Sequence, residues 1–186
     1  MAIRSRPLSI DDLQRMRDAS NDRLELIEGE LFVTPSPTPL HQDIAGSLYT
    51  LFRSVVFESG RGRVYFAPLD VRFAENTVVQ PDLIVVLSDR PVLTEARVEG
   101  APSLAVEIVS PSTVDHDRVA KRDLYARYGV PEYWLVDPEK APITIFSEPQ
   151  RGRYRSEQTT SDVAISATIP QLSADLKALF APVPGL

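Results

Sequence analysis

The sequence predicts a single α/β (α+β) domain in which a mixed β-sheet is flanked by helices. Three observations carry that reading. Leu83-Ile84-Val85-Val86-Leu87 and Leu104 to Val109 are near-continuous apolar runs, the pattern of strands buried on both faces of a covered sheet. Amphipathic stripes of helical period lie on either side of them, over residues 41–58 and 115–128. The chain's 186 residues also fit one domain of ordinary size. Such a domain buries roughly 70% of its unfolded surface and needs neither disulfide nor structural metal.

The elements follow in order. Ser9 caps a first helix, with Asp11 and Asp12 in the opening turn and Ile10, Leu13 and Met16 at helical spacing. Leu24 to Val33 reads as a hairpin turning at Glu28-Gly29. Pro35, Pro37 and Pro39 force a loop, because each removes a backbone donor and fixes φ. His41 to Glu58 carries Ile44, Leu48, Phe52 and Val56 on one stripe and is a helix. Beyond Gly60-Arg61-Gly62 the period becomes two, and Val64–Phe66 is expected to pair with Leu69–Phe73 around Ala67-Pro68. The two buried strands come next, joined by a polar connection over 88–102 with room for one helical turn.

Asp115 to Tyr128 is a helix closed by Gly129 and Pro131, the expected C-terminal pair. Tyr133–Val136, Ile143–Phe146 and a segment around Tyr154 are strands. Ser173 to Phe180, with Leu176, Leu179 and Phe180 on one side, ends the chain as a short helix. The domain thus divides into an N-terminal helix and hairpin (1–34), a core (40–147) and C-terminal strands with a short helix (148–186). The sixteen prolines sit almost entirely between these elements.

Composition narrows the function. Twenty Lys and Arg against twenty-six Asp and Glu leave a formal charge of −6. That balance argues against a coat-like binder of any nucleic acid, and leaves room for a local basic cleft. Cysteine is absent, which excludes disulfides, thiolate nucleophiles and Cys-ligated zinc or iron–sulfur sites. His41 and His116 are the two histidines, too few for a multi-His metal site. Met1 to Leu8 lacks the apolar core of a signal peptide, and no 18-residue apolar run occurs. A cytoplasmic protein with no membrane partner is expected.

The chemistry gathers on the central strands. Glu107 shares a strand face with Ala105 and Val109, and both its chain neighbours are apolar. An unpaired charge there costs several kcal/mol or shifts its pKa, so Glu107 needs a partner or a metal. Asp82 raises the same question at the mouth of the other apolar run, where Pro81 starts the strand. Two carboxylates on neighbouring strands suit a hard divalent cation such as Mg²⁺, which takes oxygen ligands and keeps waters. Lys121, on the following helix and in line with Asp117 and Tyr125, is the candidate cation. Against that stands a plain solvated lysine paired with Asp117.

Other residues are more open. Glu25 and Glu28 near the hairpin are extra acidic ligands or ordinary turn carboxylates, and Asp70 approaches from a neighbouring strand or does not. His41 reads as a helix-start residue, Tyr133 and Trp134 as core. Ser110-Pro111-Ser112-Thr113 is a turn capping the next helix, with a serine as a conceivable second partner of Glu107. Arg151, Arg153 and Arg155 are a solvated edge by default.

Four ordered segments then resemble one family. Gln80-Pro81-Asp82-Leu83, Val106-Glu107-Ile108-Val109-Ser110-Pro111-Ser112-Thr113, Lys121-Arg122-Asp123-Leu124-Tyr125 and Gly129-Val130-Pro131-Glu132-Tyr133-Trp134-Leu135-Val136-Asp137-Pro138 together look like the Uma2 family. Glu25 to Leu31 and Pro37 to His41 are similar to its N-terminal pattern. The resemblance implies a restriction-endonuclease-like PD-(D/E)XK fold and a Mg²⁺-dependent (or Mn²⁺-dependent) endonuclease acting on DNA, with a homodimer expected. Carried over residue by residue, it implies Asp82 and Glu107 as metal ligands, helped by the Ile108 carbonyl, and Lys121 as the catalytic lysine. The superfamily's usual lysine lies two residues after the acid, where this chain has Val109. The resemblance therefore implies a lysine moved to the next helix. Two rivals remain: an idle nuclease fold that binds nucleic acid or a protein, and a metal-dependent hydrolase of smaller phosphate esters.

Overall fold

The structure is a computed structural model and describes residues 6–109 and 116–181. Ser9 caps α1 (Ile10–Asp18) reciprocally: its hydroxyl accepts from the Asp12 amide, and the Asp12 carboxylate accepts from the Ser9 amide. β1 (Arg23–Ile27) and β2 (Glu30–Thr34) form the expected hairpin. Its turn holds Glu28 and Gly29 at φ 53° and 84°, the left-handed pair that matches strand twist. A Cβ on Gly29 would also meet Pro7 Cβ at 2.5 Å. Thr38 caps α2 (Pro39–Phe52), which runs on into one wide π-type turn over Arg53–Phe57.

The next strands are β3 (Gly62–Phe66), β4 (Val71–Ala74), β5 (Thr77–Val79), β6 (Leu83–Leu87), β7 (Val98–Glu99) and β8 (Leu104–Ile108). A π-type segment, His116–Lys121, leads directly into α3 (Arg122–Arg127). β9 (Glu132–Val136), β10 (Ile143–Gln150), β11 (Arg153–Thr160), β12 (Val163–Ile165), β13 (Ser173–Asp175) and α4 (Leu176–Leu179) complete the chain.

The strands form a mixed α+β arrangement. A six-stranded sheet has the order β11-β10-β9-β8-β6-β3, with β8 and β9 parallel and the other neighbours antiparallel. A five-stranded sheet has the order β2-β1-β5-β4-β7. Both faces of the larger sheet are covered, which is why β6 and β8 read as continuous apolar runs. Leu83, Val85, Leu104, Val106 and Ile108 pack towards α2, against Ile44, Leu48 and Phe52. Ile84, Val86, Ala105 and Val109 face the other way, towards Leu124 and Tyr125 of α3 and towards Ile27, Val71 and Val79 of the smaller sheet. Leu13 of α1 seals the far side of the smaller sheet against Leu24, Leu26 and Val78. Tyr133 and Trp134 are fully buried core, as their place in a central strand requires.

Four local expectations differ from the structure. Val64–Phe66 does not pair with 69–73: β3 pairs antiparallel with β6, and β4 belongs to the other sheet. A period-two pattern reports which face is buried and does not name the partner strand. The 88–102 connection holds no helical turn; it carries β7, whose Val98 is fully buried against Val71, and an antiparallel bridge from Leu93 to Val98. Ser173–Phe180 is not helical throughout. Its first three residues are β13, pairing with β12, and the helix begins after Asp175, whose carboxylate accepts from the Lys177 and Ala178 amides. Residues 116–127 are helical but start on wide turns, and the expected turn at 110–113 and helix start at Asp115 lie outside the described residues. No helix among the described residues is long and apolar enough to cross a membrane.

Candidate active site

The site lies where the two sheets and α3 converge. β6 and β8 run antiparallel with Leu83 opposite Val106, so the register carries on to set Asp82 across from Glu107. The Asp82 carboxylate is locked there: its Oδ2 accepts from the Ile108 amide at 2.8 Å and lies 3.1 Å from His41 Nε2. Glu107, buried on the face it shares with Ala105 and Val109, points towards α3. Its Oε1 accepts from Lys121 Nζ at 2.9 Å and from the Tyr125 hydroxyl at 2.6 Å. Lys121 and Tyr125 are one helical turn apart and present their heads to the same oxygen. Lys121 sits where the π-type segment becomes α-helix, a device often found at functional sites.

A third carboxylate completes the cluster. Glu25 Oε2 is 3.0 Å from Lys121 Nζ, and its Oε1 accepts from the Gln80 amide at 2.5 Å. Leu24 and Leu26 face α1, so strand alternation turns Glu25 and Ile27 inward towards the larger sheet. Glu25, Asp82, Glu107 and Lys121 are all buried.

The electrostatics follow from these contacts. Burial alone raises the Glu25 carboxyl, but Lys121 and the Gln80 amide outweigh it and hold it below the ordinary carboxylate range. Asp82 is likewise pushed up by burial and brought below its ordinary value by His41 and the Ile108 amide. Burial and the neighbouring Glu107 charge lift the Tyr125 hydroxyl well above its usual value, so it stays a proton donor.

The other sequence candidates fall in different places. His41 does more than begin a helix, since its ring reaches Asp82. Asp70 stays out of the carboxylate cluster: it pairs with Arg17 at 2.8 Å and accepts from Gln80 Nε2 at 2.8 Å. Glu28 is half exposed and pairs with Arg127. Arg151 and the alternating Arg153 and Arg155 lie on an exposed edge. Reading the residues missed Tyr125 as a partner of Glu107. Its spacing from Lys121 was the available signal.

Asp82 and Glu107 offer oxygen donors from adjacent strands, the chemistry Mg²⁺ selects. Among the described residues no group of three or more His, Cys, Asp or Glu side chains is arranged as a metal cage. An ion held here would take two carboxylates and fill its remaining positions with backbone, water and substrate oxygens.

A family model described as "Putative restriction endonuclease", Uma2, matches residues 10–177. The chain belongs to the Uma2 family. The match spans every residue of the cluster, from Glu25 to Tyr125. No curated protein matches this Uma2 chain significantly. Among solved structures it is similar to a protein from Anabaena variabilis described as "a putative nuclease belonging to DUF820". That likeness has a TM-score of 0.78 at 21% identity, over 94% of this chain and 98% of the other, and it shows that the two share a fold. The DrdV-DNA complex matches at a TM-score of 0.36 and 13% identity, over 76% of this chain and 14% of that one. The Uma2 match makes this a nuclease-like protein.

Proposed function

We propose that this Uma2 protein is a metal-dependent endonuclease that hydrolyses DNA phosphodiester bonds, working as a homodimer. The observation that carries the reading is the meeting of Asp82, Glu107 and Lys121 from three separate elements, with the Lys121 ammonium 2.9 Å from Glu107. Val109 leaves the usual lysine position empty of charge, and Lys121 brings an ammonium back to the acid from the turn that leads into α3.

Asp82 and Glu107, with the Ile108 carbonyl, would hold one or two Mg²⁺ ions. Bound there, Mg²⁺ supplies charge neutralisation at the phosphoryl oxygens and a water of lowered pKa. The protein's own part is positioning. The Ile108 amide and His41 fix the rotamer of Asp82, and Tyr125 fixes that of Glu107. Lys121, held between Glu25 and Glu107, keeps a positive charge at the place where the phosphoryl group gains negative charge. Its ammonium also has protons with which to orient the attacking water.

The experiment is plasmid cleavage with Mg²⁺ or Mn²⁺. The parent protein should nick or cut, and Asp82→Ala or Glu107→Ala should abolish it. Equal cutting by parent and variants would remove the site assignment.

A further inference from the structure

A hollow of about 450 Å³ opens beside Asp82, within the range of about 300–1,000 Å³ typical of small-molecule sites. One wall is apolar and carries Phe66 at the end of β3, a large aromatic left 57% exposed. Tyr49 packs against that ring in a T-shaped pair, with centroids 4.9 Å apart and planes at 82°, while more than half of Phe66 stays exposed. The lining also carries Arg17, Arg23, His41 and Gln80, together with the Asp22 and Asp82 carboxylates. Arg23 is anchored to the Gln80 carbonyl and side chain, and its Nη1 lies 3.6 Å from Asp82 Oδ1. That distance is too long for a hydrogen bond, so the donor stands by the acid without closing on it.

An exposed aromatic ring sharing one hollow with guanidinium groups is the chemistry that captures an unpaired nucleotide, the base stacking and the phosphate meeting the cations. A double helix cannot supply this: its bases are stacked on one another, and the hollow has room for one nucleotide. We propose that this hollow is a subsite for a single unpaired or extruded nucleotide next to the bond that is cut. The substrate class is then DNA with single-stranded or distorted character at the scissile position. This rests on the nuclease reading above and names its substrate. The acidic net charge of −6 fits it, because stacking supplies affinity that a long basic duplex-binding face would otherwise have to provide.

The test uses the full chain in EDTA at one fixed salt concentration, with three labelled DNA probes. These are a single strand, its fully paired duplex, and that duplex carrying one unpaired 2-aminopurine. The single strand and the bulged duplex should bind about tenfold or more tightly than the paired duplex. Phe66→Ala should lose about tenfold on those two probes and leave the paired duplex unchanged, and Phe66→Trp should restore the loss. The 2-aminopurine emission should be quenched by the parent and not by Phe66→Ala. Equal affinity for all three probes, or no effect of Phe66→Ala on the unpaired ones, overturns the subsite.

Adding Mg²⁺ separates the two readings. Cutting without any preference for unpaired DNA keeps the nuclease and removes the subsite. Phe66-dependent binding of unpaired DNA that is never cut keeps the subsite and removes the nuclease.

Discussion

Lys121 Nζ stands 2.9 Å from Glu107 Oε1, fourteen residues back in the chain, and 3.0 Å from Glu25 Oε2 in the other sheet. One ammonium thus joins two buried carboxylates that would otherwise repel. Breaking a buried ion pair by removing one partner leaves an uncompensated charge and costs about 3–5 kcal/mol. Lys121→Met should lose that much in urea unfolding. Adding Glu25→Gln to it should recover part of the loss, because one of the stranded charges is then gone. A single variant within about 1 kcal/mol of the parent would mean the carboxylates do not share this cation.

Tyr125 tests the other contact on the same oxygen. Its ring packs edge-on against Tyr133 at 5.1 Å, so Tyr125→Phe keeps the packing and removes the hydroxyl that donates to Glu107. A hydrogen bond to a charged group contributes roughly 1.5–3 kcal/mol. The variant should lose about that in stability. In the cleavage assay it should also cut more slowly than the parent while still cutting, since Lys121 continues to hold Glu107. No change in either measurement would detach Tyr125 from the site.

The limits of the sequence have physical reasons in the same residues. β6 and β8 were legible because burial on both faces leaves an unbroken apolar run, and Glu107 stood out as the charge inside one. α2 was legible from its stripe. The partner of β3 was not, since strand pattern carries no long-range address. Glu25 was legible as either an extra acid of the site or a turn carboxylate, and the chain alone does not choose: its role depends on the smaller sheet packing over the segment that carries Lys121, a contact between residues 96 positions apart. His41 is similar. Thr38 caps its helix locally, while the reach to Asp82 across 41 positions belongs to the tertiary fold.

Acid should expose the cluster. Burial favours protonation of Glu25 and Asp82, yet Lys121, His41 and the Gln80 and Ile108 amides bring both carboxyls below their ordinary values. A folded pKa below the unfolded one means that the unfolded chain takes up protons first as pH falls. The stabilisation is therefore complete above about pH 5 and drains away as pH drops through about 4 towards the folded values. Urea midpoints measured across that window should fall steeply for the parent. Glu25→Gln, which has no carboxyl to titrate there, should show a shallower slope; an unchanged slope would contradict the depressed Glu25.

Glu132 is the remaining buried carboxylate of β9, and its partners give it a structural task. It accepts from Trp134 Nε1 at 2.5 Å, from the Ser166 hydroxyl at 2.9 Å and from the Thr168 amide at 2.6 Å. Ser166 in turn accepts from the Ile169 amide at 2.9 Å. One side chain thereby ties the segment between β12 and β13 to a core strand, beside the apolar anchors Ile169 and Leu172. Glu132→Ala strands two buried donors and one half-buried one, at about 1–3 kcal/mol each for those left unsatisfied. Hydrogen exchange should therefore speed up at Thr168 and Ile169, with amides of β8 and β9 keeping their protection if the opening is local. Uniform loss across both regions would mean that Glu132 holds the whole core, and no loss at either amide would mean that it holds neither.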